Sequence, residues 1–310
     1  AQRRVLRHLG VRSVSLAIGA SMGCSLALEF AACHPDFVRE VVLIAGCGQH
    51  TDWATGIGEV QRSLIARDPN YKSGHYTADA QPATGLNSAR MAAMLTYRAP
   101  KSIDDKFGRR EQPGENLQEK EGVPFRAVES YLRHQGAKFV ERFDANCYVH
   151  LTHTLDSMDV ARGRGEYPDV LRNLPQRALV VGIDSDMLYP IALQREMADA
   201  FPNGQLLEIR SPHGHDSFLI EIEHLNTCVR KFRDLEPLPP PPEGAEPVAE
   251  LERLLAESRA ECAALRERVS RLEGRAGEES PSKRQRAATN GNGNGSHSQW
   301  ARNPMVAAAK

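Results

Sequence analysis

Hydrophobic and polar positions change rhythm several times along the chain. Residues 1–10, AQRRVLRHLG, place Val5, Leu6 and Leu9 on one side of a helix among basic residues. Because the pattern is already under way at Ala1, the segment reads as the last turns of a helix that begins upstream. The apolar positions then run together. VRSVSLAIG (11–19) and REVVLIAG (39–46) predict buried strands, and MGCSLALEFAACHP between them predicts a helix. Strand, helix and strand in that order imply a parallel pair. RALVVGID (177–184), PIALQREMADAFP (190–202), GQLLEIRS (204–211) and SFLIEIEHLNTCVRKF (217–232) repeat the alternation. Neither block alone has strands enough to carry helices on both faces, so one shared sheet is expected.

Between the blocks, the spacing is helical: GIGEVQRSLIARDP, GLNSARMAAMLTYR and VESYLRHQGAKFVERFDANCYVHLTHTL. The expected fold class is therefore α/β, with a core of residues 1–49 and 176–235 and a large helical cap at 50–175. Such a cap belongs over the carboxyl edge of the sheet, where open α/β sheets bind ligands. Residues 236–246 form a proline-rich linker. Over 247–274, Val248, Leu251, Leu255, Ser258, Cys262, Leu265, Val269 and Leu272 alternate three and four apart, a short coiled-coil candidate. Residues 275–310, with SPSKRQR and NGNGNGSHS, read as a disordered tail.

Composition narrows the functional classes. Lys plus Arg number 39 against 40 Asp plus Glu, a net charge of −1, so there is no overall basic field to draw the chain onto nucleic acid or anionic lipid. No apolar run has the roughly 18 to 20 residues of a membrane helix. The six cysteines stand singly, without disulfide or zinc spacing, which points to a reducing, cytoplasmic compartment and to no metal.

Chemistry enters at Gly19-Ala20-Ser21-Met22-Gly23, a G-x-S-x-G motif set between a buried strand and a helix. In that setting the small residues allow a sharp turn that lifts the Ser21 hydroxyl off the sheet, as in an α/β-hydrolase fold. A serine nucleophile needs a base, and the base needs a carboxylate to fix its tautomer. His215 follows one later strand, and Asp186 follows the strand before it; Asp184 is the alternative carboxylate, also placed to cap the turn. One oxyanion donor is the backbone N–H of Met22, while the second comes from a loop earlier in such folds than any segment at hand.

GASMG, HPDFVREVVLIAG, EVQRSLIARDPNY, GLNSARMAAMLTYR, KFGRR, VESYLRHQGAKFVERFDANCYVHLTHTLDSMDVARGRG, VVGIDSDMLYP and SPHGHDSFLIE occur in that order. Over roughly residues 5–230 the chain thereby resembles the homoserine O-acetyltransferase family of methionine biosynthesis, closest to its fungal-type members. The resemblance implies ping-pong transfer: acetyl-CoA is a co-substrate with no bound cofactor, Ser21 is acetylated, and the hydroxyl of L-homoserine accepts the group. It implies Asp186 and His215 as the partners of Ser21, with Arg90, Tyr97 and Asp216 as residues that bind the amino acid. It also implies a homodimer and an N-terminal segment preceding Ala1. Gly23-Cys24-Ser25-Leu26 departs from the G-G-M-Q usual in the family. Serine O-acetyl or O-succinyl transfer within the same fold, and a catalytically incomplete protein that interacts through its coiled coil, are the competing expectations.

Overall fold

A computed structural model describes residues 1–112 and 125–238. The coiled-coil candidate at 247–274, the tail at 275–310 and most of the linker at 236–246 lie outside the described residues. The first block is α1 (Gln2–His8), β1 (Val14–Ala20), α2 (Met22–Cys33) and β2 (Val38–Ile44). A helical insertion follows: α3 (Asp52–Ala66), α4 (Ala83–Thr96), α5 (Pro100–Phe107), α6 (Ala127–Val140), α7 (Ala145–Asp156) and α8 (Tyr167–Arg172). The second block is β3 (Arg177–Ile183), α9 (Ile191–Ala200), β4 (Gly204–Ile209), a 3-10 turn (Gly214–Asp216), α10 (Ser217–Ile220) and α11 (Ile222–Arg233).

The strands form one parallel sheet in the order β1-β2-β3-β4. Ile18 lies beside Val42, Val42 beside Leu179, and Leu179 beside Gln205, so the join of the two blocks is the β2–β3 pairing. Successive side chains go to opposite faces. Val41, Leu43 and Val180 pack on one side with Leu28, Ala31, Leu171 and Met197, whereas Val42, Ile44, Leu179 and Val181 pack on the other with Leu225, Cys228 and Phe232. Both faces are covered, which is why β2 and β3 read as unbroken apolar runs. The insertion has a separate small core around Ile65, Leu86, Ala89, Phe139 and Tyr148.

Three expectations about elements change. α1 packs a partly buried Leu6 against the core but leaves Val5 57% and Leu9 69% exposed, so a single residue of the expected apolar side meets the core. The run 128–155 is two helices: Asp144 accepts from the N–H of Cys147 at 2.8 Å and so starts α7 afresh. The run 217–232 is likewise divided, at Glu221 (φ −84°, ψ 37°), into α10 and α11.

Because the strands are parallel, the segments that follow β1, β2, β3 and β4 all leave from one edge of the sheet. That edge holds Ser21, His50, Asp186 and His215.

Candidate active site

Ser21 has φ 54° and ψ −122°, a conformation few residues with side chains adopt. The backbone around it forces the position. Its N–H donates to Ile44 O at 2.9 Å, anchoring it to β2, and its carbonyl accepts from Cys24 N–H at 2.9 Å as α2 begins. Two glycines make the turn possible. A Cβ on Gly19 would sit 1.8 Å from Gly23 O, and one on Gly46 would sit 2.6 Å from Cys24 Cβ. Met22 is the first residue of α2, so its N–H belongs to the group that has no carbonyl partner inside the helix and lies at its positive end.

His215 lies within the 3-10 turn after β4 and is 3% exposed. Its Nε2 is 2.8 Å from Ser21 Oγ, and its Nδ1 is 2.7 Å from Asp186 Oδ2. An ionised carboxylate only accepts, so Nδ1 carries the proton toward Asp186 and Nε2 is left to accept from the serine hydroxyl. Asp186 is itself fixed. Its Oδ1 accepts from the N–H groups of Leu188 at 2.8 Å and Tyr189 at 2.9 Å, leaving Oδ2 for the imidazole. Asp184 is engaged elsewhere. Its Oδ1 accepts from Ser211 N–H at 3.0 Å, which ties the loop after β3 to the loop after β4.

Ser21 and Met22 open on a cavity of about 280 Å³ between the sheet edge and the insertion. Arg90 and Tyr97 are on its wall. The Arg90 guanidinium carbon is 4.8 Å from the centre of the Phe139 ring and 5.3 Å from that of Tyr97, and its buried Nε has no hydrogen-bond partner. A buried guanidinium N–H without an acceptor is costly unless something completes it. Burial pushes the Tyr97 hydroxyl above its ordinary value, with Arg90 opposing. The Tyr97 ring lies 6.0 Å from that of His215.

Asp216 is placed differently from these two. It adjoins His215; its carboxylate is ion-paired with Arg98 at 3.3 Å, and its N–H donates at 3.0 Å to the carbonyl of Tyr97, which lines the cavity. Burial raises the Asp216 carboxyl above the usual carboxylate range, with Arg98, His215 and Arg90 pulling it back.

The structure adds a second polar group to the same wall. His50 Nε2 is 3.6 Å from Asp156 Oδ1, Arg62 Nη1 is 2.8 Å from Asp156 Oδ2, and the Tyr189 hydroxyl is 3.5 Å from His50 Nδ1. Burial pushes the His50 imidazole below its ordinary value, against the pull of Asp156, which favours the neutral ring. His50 had a signal in the sequence, its place just beyond a buried strand. Asp156, at the end of a helix 106 positions later, had none. Among the described residues, no group of three or more His, Cys, Asp or Glu could hold a metal ion, and no helix is long and apolar enough to cross a membrane.

Comparison with known proteins places this geometry in a family. Residues 1–221 match the model for the alpha/beta hydrolase fold. A homoserine O-acetyltransferase of Salinibacter ruber is 50% identical over 235 residues, covering 74% of this chain and 65% of the relative. One from Emericella nidulans is 34% identical over 304 residues, covering 74% and 62%. The chain therefore spans a little under two thirds of the length of these relatives. Among solved structures, a homoserine O-acetyltransferase from Bacillus anthracis superposes with a TM-score of 0.69 at 20% identity, covering 75% of this chain and 63% of that one. Esterase E22 gives 0.68 at 20%, covering 75% and 64%. At that identity the two superpositions speak for the fold alone. With the serine on its strand-to-helix turn and the sheet beneath it parallel, the chain belongs to the alpha/beta hydrolase fold family.

Proposed function

We propose that the chain carries the acyl-transfer centre of a homoserine O-acetyltransferase, with acetyl-CoA as donor and L-homoserine as acceptor. The carrying observation is the hydrogen-bonded series Ser21, His215, Asp186, whose serine opens on a cavity that Arg90 also lines. The names of the relatives at 34% to 50% identity support homoserine as the acceptor and acetyl as the group transferred.

In this reading Ser21 Oγ attacks the thioester carbonyl as His215 Nε2 takes its proton, and Asp186 stabilises the imidazolium. The Met22 N–H stabilises the developing oxyanion. Collapse of the adduct breaks the carbon–sulfur bond, and the thiol of CoA leaves with the proton from His215. The homoserine hydroxyl then attacks acetyl-Ser21. His215 accepts the hydroxyl proton and returns it to Ser21 Oγ as O-acetylhomoserine forms. The homoserine carboxylate completes the buried guanidinium of Arg90, where two N–H groups suit a carboxylate. Transfer must outrun hydrolysis, and Ala54, Ile57, Leu151 and Leu155 add apolar surface to the insertion's side of the cavity.

The same triad can pass an acyl group from serine to water, which makes hydrolysis the second reading. The test is to follow thiol release from acetyl-CoA with and without L-homoserine while quantifying O-acetylhomoserine. Release that depends on homoserine and matches product one for one is the expected result. Release at the same rate without homoserine overturns transfer in favour of hydrolysis.

A further inference from the structure

Arg98 is the residue after Tyr97, at the point where α4 gives way to α5. Its Nε lies 3.3 Å from Asp216 Oδ2, and the two side chains are 25% and 21% exposed. The surrounding backbone is docked closely enough to hold the pair in place. Asp216 N–H donates to Tyr97 O at 3.0 Å, and Ser102 Oγ is 3.2 Å from His213 Nδ1. Gly214, with φ 73°, lies so near that a Cβ on it would be 2.4 Å from Ala99 N and 2.7 Å from Arg98 C. The insertion and the loop bearing His215 therefore meet through residues 97–102 and 213–216.

In the proposed reaction the acceptor is an α-amino acid, whose carboxylate and ammonium branch from one carbon. The groups that receive them must be near neighbours. Asp216 adjoins the Arg90–Tyr97 pair: its N–H donates to Tyr97 O at 3.0 Å, and the Tyr97 ring lies 5.3 Å from the Arg90 guanidinium carbon. Yet it is a partly buried carboxylate, and one that gains a proton loses its attraction for an ammonium group.

We propose that Arg98 is a positioning residue: its guanidinium, 3.3 Å from Asp216 Oδ2, holds that carboxylate in place to receive the ammonium end of the acceptor. This rests on the acyl-transfer reading above. The groups around Asp216 make Arg98 the deciding one. From the insertion come Arg98 in direct contact and Arg90 farther off; from its own turn, His215; from the loop after β3, Asp186, which opposes them. His215 is already engaged by Asp186, and in the proposed complex Arg90 is engaged by the acceptor's carboxylate. Desolvation raises the Asp216 carboxyl, and Arg98 is the foremost cause holding it down. Without Arg98 the carboxyl rises further and the proton is bound at higher pH.

The experiment compares the full chain with Arg98→Met and Arg98→Lys, following the two half-reactions separately. Acetylation of Ser21 by acetyl-CoA does not use the ammonium site, so its rate stays within a few-fold of the parent in both variants. For homoserine, Arg98→Met raises KM with a smaller change in kcat. It also moves the acid limb of kcat/KM upward by about one pH unit or more, the size of effect an adjacent arginine exerts on an aspartate. Arg98→Lys restores most of both. A carboxyl-carbon NMR titration of Asp216 gives the same upward shift without reference to activity. An unchanged acid limb and an unchanged Asp216 titration in Arg98→Met overturn the proposal. So does an equal loss in both half-reactions that Arg98→Lys does not rescue, which marks a purely structural contact. A parent chain that forms no acetyl-enzyme overturns the function reading instead, and the NMR titration still decides whether Arg98 keeps Asp216 charged.

Discussion

The two walls of the cavity are built by different means. On the sheet side, main-chain bonds set Ser21, through Ile44 O and Cys24 N, and Asp186, through the N–H groups of Leu188 and Tyr189; Asp186 in turn orients His215. On the insertion side, side-chain contacts do the holding: Arg90 lies against the rings of Tyr97 and Phe139, and Asp156 against Arg62 and against His50 of the sheet edge. A wall fixed by backbone keeps reacting atoms in register. A wall fixed by side chains can change its ligand by substitution while the chemistry beneath it stays in place. In the proposed enzyme the sheet edge performs the acyl transfer, and the insertion, together with Asp216 beside His215, selects the acceptor.

That division is tested first where the expected effect is largest. His215→Gln, or Asp186→Asn, which disturbs the imidazole tautomer, lowers acetylation by acetyl-CoA about 10⁴-fold. Circular dichroism and thermal melting remain those of the folded parent. A loss of less than tenfold in stopped-flow acetylation contradicts the role given to the sheet edge.

Next comes Arg90→Met. Removing a charge-assisted pair worth about 1.5 to 3 kcal/mol raises KM for homoserine about 10- to 100-fold. The acetylation step changes little, so steady-state and pre-steady-state kinetics on one preparation separate the walls. Equal losses in both steps show that the division does not hold.

Asp156→Asn acts on stability more than on chemistry. Arg62, with its side chain 9% exposed, then retains Glu59 at 3.1 Å as its anionic partner among the described residues, and about 1 to 3 kcal/mol of stability is lost. Chemical denaturation measures that loss. A variant as stable as the parent shows that the Asp156 group does not support the wall.

The smallest effect is expected at Asp184→Ala, which removes one hydrogen bond to Ser211 N–H and costs about 1 kcal/mol. Melting drops by about 2 to 4 °C for a domain of this size while acetylation is kept. Two aspartates two positions apart then differ about 10⁴-fold in their effect on chemistry, as the backbone bonds around them require.

The same contrast explains what could be read from the residues alone. β2 and β3 were legible because burial on both faces gives continuous apolar runs, and Ser21 because a strand, glycines and a helix stand in immediate succession. The rule that parallel strands deliver their loops to one edge led to His215 and to Asp186 with Asp184 as its alternative, and the family resemblance favoured Asp186. The wall of the insertion was legible only in the residues the family resemblance named. Asp156 meets His50 and Arg62 through helix packing across long stretches of chain, and no local pattern encodes such a meeting. The ion pair of Asp216 with Arg98 was hidden for the same reason. The start of α7 was open to reading, since Asp144 is a good N-cap, but the helical spacing on either side of it masked the break.

The central claim is that Ser21 becomes acetylated and passes the group on. Intact-protein mass spectrometry after brief mixing with acetyl-CoA tests it, with Ser21→Ala as control. The account predicts a gain of one acetyl group on the parent chain, absent from Ser21→Ala, mapped to the peptide containing Ser21 and discharged by L-homoserine with formation of O-acetylhomoserine. A folded parent chain that gains no acetyl group, or gains it equally when Ser21 is alanine, contradicts the account.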